Sequence, residues 1–304
     1  MKFLGKKWKF VTIVYLVVAY LYVIVINDMS ISTLLLFYAG FLALTIILFL
    51  GTTIGIVGII FQSTFNNDIK ATKLYKISYT LKTNNANVLS SYGLIMLKEN
   101  NIKKALEIFE KCLTLQPYFL VDKIVKCNIA ICHWKLNNVD KAIEIYEKIM
   151  TDFANTNYDE DDEDADKTII EDTDEIIVTT NSYVYAQDYT TLGFLYLLKK
   201  DYDEAILNSK KALILDENHA PALDNLGQIY YYMKDYEKAE EYLKSALDLK
   251  PHMADSNYYL GLVYEQQENF EEAKKYFDLT ATCNINALNT VTQEEVDNKL
   301  EKYN

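Results

Sequence analysis

The sequence predicts an all-α protein: a two-helix transmembrane hairpin, then an α-solenoid of about five repeat units, then a capping helix. Three observations carry this reading. The first sixty residues contain two long runs without a charge, whereas the remainder alternates apolar and charged residues. Glycine, tyrosine and alanine recur in one frame with a period of 34 residues. Three prolines and nine glycines in 304 residues is a scarcity of helix breakers, which favours long helices.

The hairpin rests on residues 10–26 and 31–61, both free of charge. A helix needs about 20 apolar residues to cross the hydrocarbon core. Asn27, Asp28, Met29 and Ser30 between the runs suit a tight connection. Lys2, Lys6, Lys7 and Lys9 resemble the basic start of a signal peptide. No small-x-small cleavage site follows, so a retained anchor is the better reading. Lysines precede the first run, and Lys70, Lys73, Lys76 and Lys82 follow the second, while the loop between has none. The positive-inside rule then expects a multi-pass cell-membrane protein with both ends cytoplasmic and bilayer contact through residues 10–61. Gly51 and Gly55 form a GxxxG pattern that permits close helix approach, although glycine is common in membrane helices generally.

The repeat begins with three copies of one phrase. Leu192-Gly193, Leu226-Gly227 and Leu260-Gly261 are each followed by tyrosine, at Tyr196, Tyr230 and Tyr264, and by alanine, at Ala205, Ala239 and Ala273. Gly93 with Ala105 and Ala130 with Ala142 extend the frame upstream. The units read 86–119, 123–156, 186–219, 220–253 and 254–287, with a half unit at 70–83. The frame also places a helix at about 52–65, inside the end of the second apolar run. Small residues are needed where two antiparallel helices touch, and aromatic rings fill the space beside them. Asn101, Asn138, Asp201, Asp235 and Asn269 precede each second helix, where such side chains cap free backbone N–H groups for about 1 kcal/mol each. Glu204 and Glu272, three residues after Asp201 and Asn269, complete the pattern of a capping box.

The pattern resembles the tetratricopeptide repeat family. Leu223, Leu226, Gly227, Tyr230, Ala239, Leu243, Ala246 and Pro251 fill that family's skeleton almost completely, whereas unit 123–156 departs from it with Ala130 and His133. The resemblance covers roughly residues 70–300 and implies a right-handed α-solenoid. The domain division is then a membrane anchor at 1–64, a first repeat block at 65–156, an acidic disordered insertion at 157–185, and a second block with a capping helix at 186–304. Abundant Lys, Asn, Tyr and Ile resembles an AT-rich bacterial coding bias.

The chemistry points away from several functions. The net charge is −13 and the chain has no arginine, so a nucleic-acid partner is not expected. Cys112, Cys127, Cys132 and Cys283 form no CxxC pair and fit reduced, buried thiols. Cys127, Cys132 and His133 could suggest a metal, but the five-residue spacing puts the two thiols on different helix faces, so core packing outweighs metal binding there. No triad-like constellation surrounds His133, His219 or His252, and no cofactor or enzymatic activity is expected. The acidic block Asp159 to Asp164 reads as a solvated loop rather than a calcium site, because an EF-hand's glycine and distal glutamate are missing.

In the family the first helices of successive units line the binding groove. The resemblance therefore implies contact residues at Asn87, Ser90, Ser91, Leu94 and Asn128 and, in the later units, at Thr190, Thr191, Phe194, Asp224, Asn225, Gln228, Tyr231, Tyr232, Asp255, Tyr258, Tyr259, Leu262 and Glu265. Aromatic rings with carboxylates suit a protein or peptide with basic and apolar side chains. The competing reading is that some of these tyrosines only pack against neighbouring helices. Asn225 matches one position of the family's carboxylate clamp, but Asp255 and Tyr259 stand where later basic residues belong. The expected function is a membrane-anchored scaffold or adaptor. The alternatives are a peptide-sensing regulatory receptor and an assembly or quality-control factor for envelope proteins.

Overall fold

A computed structural model describes residues 49–154, 167–171, 176–180, 184–286 and 288–303, with single positions between 36 and 43. It divides into two compact units, residues 1–96 with 104–125 and residues 97–103 with 126–304.

The first unit contains α1 (Leu50–Ser63), α2 (Asp68–Thr80), most of α3 (Ala86–Lys98), most of α4 (Ile102–Thr114) and the start of α5 (Phe119–Lys135). Here the membrane hairpin is overturned. Among the described residues no helix is long and apolar enough to cross a membrane. The expected first span, residues 10–26, lies outside the described residues. The end of the second run is α1, a helix of 14 residues that pairs with α2. Its glycines face protein. A β-carbon on Gly58 would lie 2.8 Å from the Tyr75 ring, and one on Gly55 would meet Val88 and Ser78. Ser78 donates to the carbonyl of Gly51 at 2.5 Å, and Tyr75 donates to Gln62 at 2.8 Å. The GxxxG pattern thus seats α1 against the next helices of the repeat array. Multi-pass membrane localisation with cytoplasmic ends falls with the spans, and nothing among the described residues supports bilayer contact through residues 10–61.

The second unit contains the rest of α5, α6 (Val139–Ala154), α7 (Ala186–Lys199), α8 (Tyr202–Leu215), α9 (Ala220–Tyr232), α10 (Tyr236–Leu249), α11 (Ala254–Gln266), α12 (Phe270–Ala281) and α13 (Gln293–Tyr303). The helices follow the frame of 34. Ala105, Ala142, Ala205, Ala239 and Ala273 are all fully buried. The glycines explain why: a β-carbon on Gly93 would lie 2.5 Å from the Phe109 ring, one on Gly227 2.5 Å from Leu243 Cγ, and one on Gly261 2.7 Å from the Phe277 ring. Only hydrogen lets the paired helices approach this closely while a large side chain of the second helix fills the contact. The tyrosines lie beside the contact and stack on rings of the second helix. Tyr230 meets Tyr242 with centroids at 5.5 Å, and Tyr264 meets Tyr276 at 5.5 Å.

The turns repeat as faithfully as the cores. Asn66, Asn100, Asn137, Lys200, Lys234 and Glu268 each adopt positive φ, from 46° to 66°. This left-handed residue ends the first helix and lets the next amide bond back, as Asp235 N does to the Tyr230 carbonyl at 3.0 Å and Asn269 N to the Tyr264 carbonyl at 2.9 Å. The following Asn or Asp caps the second helix: Asp235 accepts from Lys238 N at 3.2 Å and Asn269 from Glu272 N at 3.4 Å. Asp201 makes no such side-chain bond, so the capping box expected there is not formed.

The insertion is partly regular. Lys167–Glu171 (β1) and Ile176–Thr180 (β2) form an antiparallel hairpin with Ile169 opposite Val178, and β2 runs beside α8. The β-branched stretches Thr-Ile-Ile and Ile-Ile-Val-Thr favour strand, a signal that the neighbouring charge had masked. The acidic block at 159–164 lies outside the described residues.

Candidate functional site

The first helices of the second unit converge on one cavity of about 250 Å³. The C-terminal part of α5 supplies Ile131 and Trp134, α7 supplies Gln187, Thr190, Thr191, Phe194 and Leu195, and α9 supplies Pro221, Asp224, Asn225 and Gln228. Asp255 of α11 and Leu288 and Thr290, from the segment before α13, complete the wall.

The helix spacing is fixed by buried polar bonds. Asn225 donates to the Thr190 carbonyl at 2.8 Å, tying α9 to α7 inside the protein. That carbonyl belongs to a residue whose hydroxyl back-bonds to Ala186 at 2.9 Å. Trp134 and Phe194 meet edge to face with centroids at 4.8 Å and form the apolar wall.

Two carboxylates form the polar wall. Asp224 accepts from Gln228 Nε2 at 2.8 Å and from Ser256 Oγ at 2.6 Å. Burial pushes its carboxyl up to about 7, and the nearby charge of Asp255 adds to this; the two hydrogen bonds only partly offset the shift. Asp255 is held differently. One oxygen accepts from the backbone N–H groups of Thr290 and Val291, at 2.9 and 2.8 Å, and from the Thr290 hydroxyl at 2.5 Å. The other accepts from Asn289 Nδ2 at 2.9 Å. Lys135, whose ammonium lies 3.8 Å from the centre of the Trp134 ring, donates to the Asn289 carbonyl at 2.9 Å. Burial pulls the Lys135 ammonium down to about 8, against the pull of Asp255.

The structure brings together seven of the residues that the repeat frame nominates: Thr190, Thr191, Phe194, Asp224, Asn225, Gln228 and Asp255. The tyrosines lie apart from this cavity. Tyr231 packs edge to face on Tyr232 and Tyr259 with centroids at 5.5 and 5.6 Å, and the hydroxyls of Tyr232 and Tyr259 hydrogen-bond at 2.7 Å. Tyr258 packs on Tyr259 and Phe277, and both Tyr258 and Tyr259 are buried. Tyr232 is the exposed member. Leu262 packs against the terminal core. Glu265 is occupied by α13, accepting from Lys302 at 2.6 Å, from Tyr303 at 2.8 Å and from Lys299. Asn128 is buried on α5, and Asn87, Ser90, Ser91 and Leu94 lie on α3 of the first unit. Sequence reasoning missed Trp134, Lys135 and the segment 288–291. No local pattern joins Lys135 to Asn289, because the pair is 154 residues apart.

Among the described residues no group of three His, Cys, Asp or Glu side chains is placed to hold a metal ion. Cys112, Cys127, Cys132 and Cys283 form no disulfide.

No curated protein matches the sequence. Among solved structures, TTC0263, a thermophilic TPR protein in Thermus thermophilus, is 16% identical with a TM-score of 0.53, covering 72% of this chain and 98% of that one. The APC/C hetero-tetramer Cut9-Hcn1 contains a chain 17% identical with a TM-score of 0.57, covering 83% of this chain and 42% of that one. At this identity the likeness shows the fold alone, a helical repeat array. Family models described as tetratricopeptide repeat match residues 86–119, 128–156, 186–252 and 225–285. The helix pairs from α3 to α12 are tetratricopeptide repeats.

Proposed function

We propose that this protein is a scaffold that holds a partner protein or peptide in the cleft between α5, α7, α9 and α11. Tetratricopeptide repeats suggest a protein–protein interaction scaffold as a class. The observation that carries the specific reading is the convergence of Thr190, Phe194, Asp224, Asn225, Gln228 and Asp255 on one cavity. Its mixed wall, with an aromatic pair on one side and two carboxylates on the other, supports a ligand that combines apolar and basic side chains.

Photo-cross-linking tests this. A benzophenone side chain placed at Gln187 or Phe194 captures the partner in cells, whereas one at Glu241, exposed on α10, does not. Equal capture from the two faces counts against the cleft. Phe194→Asp, which puts a charge on the apolar wall, reduces capture from the Gln187 position at least tenfold.

A further inference from the structure

The segment between α12 and α13 does more than connect them. Leu288 and Thr290 form part of the cavity wall. Asn289 presents its carbonyl to Lys135 on α5. Thr290 and Val291 present consecutive backbone N–H groups to Asp255 on α11, and the Asn289 carboxamide reaches the other oxygen of the same carboxylate. A bent piece of chain, its Asn289 N–H bonded back to the Asn286 carbonyl at 3.0 Å, is thus held by its backbone between α5 and α11. Lys135 takes the carbonyl and Asp255 takes the amides that follow it.

Three of the five contacts use main-chain atoms, the Asn289 carbonyl and the Thr290 and Val291 amides, and do not depend on side-chain identity. Any peptide in the same turn conformation offers the same groups. A partner with a carboxamide or hydroxyl side chain in register adds the bonds that Asn289 and Thr290 now make. Val291 is anchored separately, in the terminal core with Tyr258, Phe277 and Val296. Only the stretch before it needs to move.

We propose that residues 288–290 are an internal occupant of the cleft, and that Lys135 and Asp255 form a backbone clamp for a partner peptide that adopts the same turn and binds by displacing them. The proposal rests on the cleft being the docking surface. It adds the clamp, the class of ligand conformation it reads, and a built-in competitor. The competitor raises the threshold for binding, because a tethered segment acts at a high effective concentration that a free peptide must overcome.

The probe is a fluorescein-labelled, end-blocked peptide with the chain's own sequence from 285 to 292, Ile-Asn-Ala-Leu-Asn-Thr-Val-Thr. In a full-chain variant carrying Asn289→Gly and Thr290→Pro, the segment loses its side-chain bonds and one amide donor. Fluorescence anisotropy is expected to show the peptide binding this variant at least tenfold more tightly than wild type. Adding Asp255→Ala should weaken binding at least tenfold again. Equal affinity for wild type and the opened variant, or no binding to the opened variant, overturns the proposal. Hydrogen exchange on the wild-type chain gives a second decision that needs no variant. The Thr290 amide should exchange at least a hundredfold faster than that of Leu260 inside α11, through local opening. Equal rates mean that the segment leaves only when the unit unfolds, and the clamp is then a fixed cap. Cross-linking from Gln187 with equal exchange rates would leave the docking surface standing and overturn the clamp alone.

Discussion

A β-carbon placed on Gly227 would lie 2.5 Å from Cγ of Leu243, a side chain with no exposed surface. The neighbouring backbone N of Leu243 is at 3.2 Å, so the helix itself blocks the way as well. In an unhindered helix, Gly→Ala gains about 1 kcal/mol through propensity. Here overpacking wins, and Gly227→Ala is expected to destabilise the second unit by about 1–3 kcal/mol. Thermal unfolding followed by circular dichroism reads the shift. A stabilised variant would show that α9 and α10 are less closely paired than described.

The left-handed residues give a change of the opposite sign. Lys234 holds φ of 66° at the end of α9, a conformation in which a β-carbon is strained. Lys234→Gly removes the strain while keeping the bond from its amide to the Tyr231 carbonyl. The expected gain is about 0.5–1 kcal/mol, measurable by urea denaturation. Asn137 already has a residue type that tolerates this region. Asn137→Gly should therefore gain less.

Asp224 makes stability depend on pH in an unusual direction. Its carboxyl is raised from 3.8 to about 7 in the fold, so between these values the folded chain holds a proton that the unfolded chain has lost. Raising the pH through this window therefore destabilises the fold. Asp224→Asn keeps a group that can accept from Ser256 and removes the ionisation. Denaturation between pH 4 and pH 8 should show a smaller loss of stability in the variant. An unchanged slope would show that Asp224 titrates normally.

Glu265 anchors the final helix. Burial raises its carboxyl, but Lys299, Lys302 and Tyr303 outweigh that and hold it below the ordinary carboxylate value. A lowered folded value means that this contribution is present near neutral pH and is lost as the pH falls through the folded value, below 4.5. Glu265→Gln should cost more than the ~1 kcal/mol of an exposed pair and less than the ~3–5 kcal/mol of a buried one. Hydrogen exchange across α13 should accelerate, while that of α9 and α10 stays unchanged. Unchanged protection of α13 would assign its docking to Val296, Leu300 and Tyr303 alone.

What the sequence determined by itself is the repeat: the period, the helix pairs, the glycine contacts and the turns. These are set by interactions between residues close in the chain, and each recurs in several copies. Gly93, Gly227 and Gly261 are legible because each needs a large partner in the next helix. What only the tertiary structure decided is what each surface meets. The apolar run ending at Phe61 carries glycines at helical spacing, and such a run reads alike whether it faces another membrane helix or a repeat helix. The contacts of Gly55 and Gly58 with Val88, Ser78 and Tyr75 decide for the repeat. The tyrosines were nominated by position, and packing buried Tyr258 and Tyr259. Lys135, Asp255 and Asn289 meet through long-range closure, which has no period and leaves no trace in local spacing.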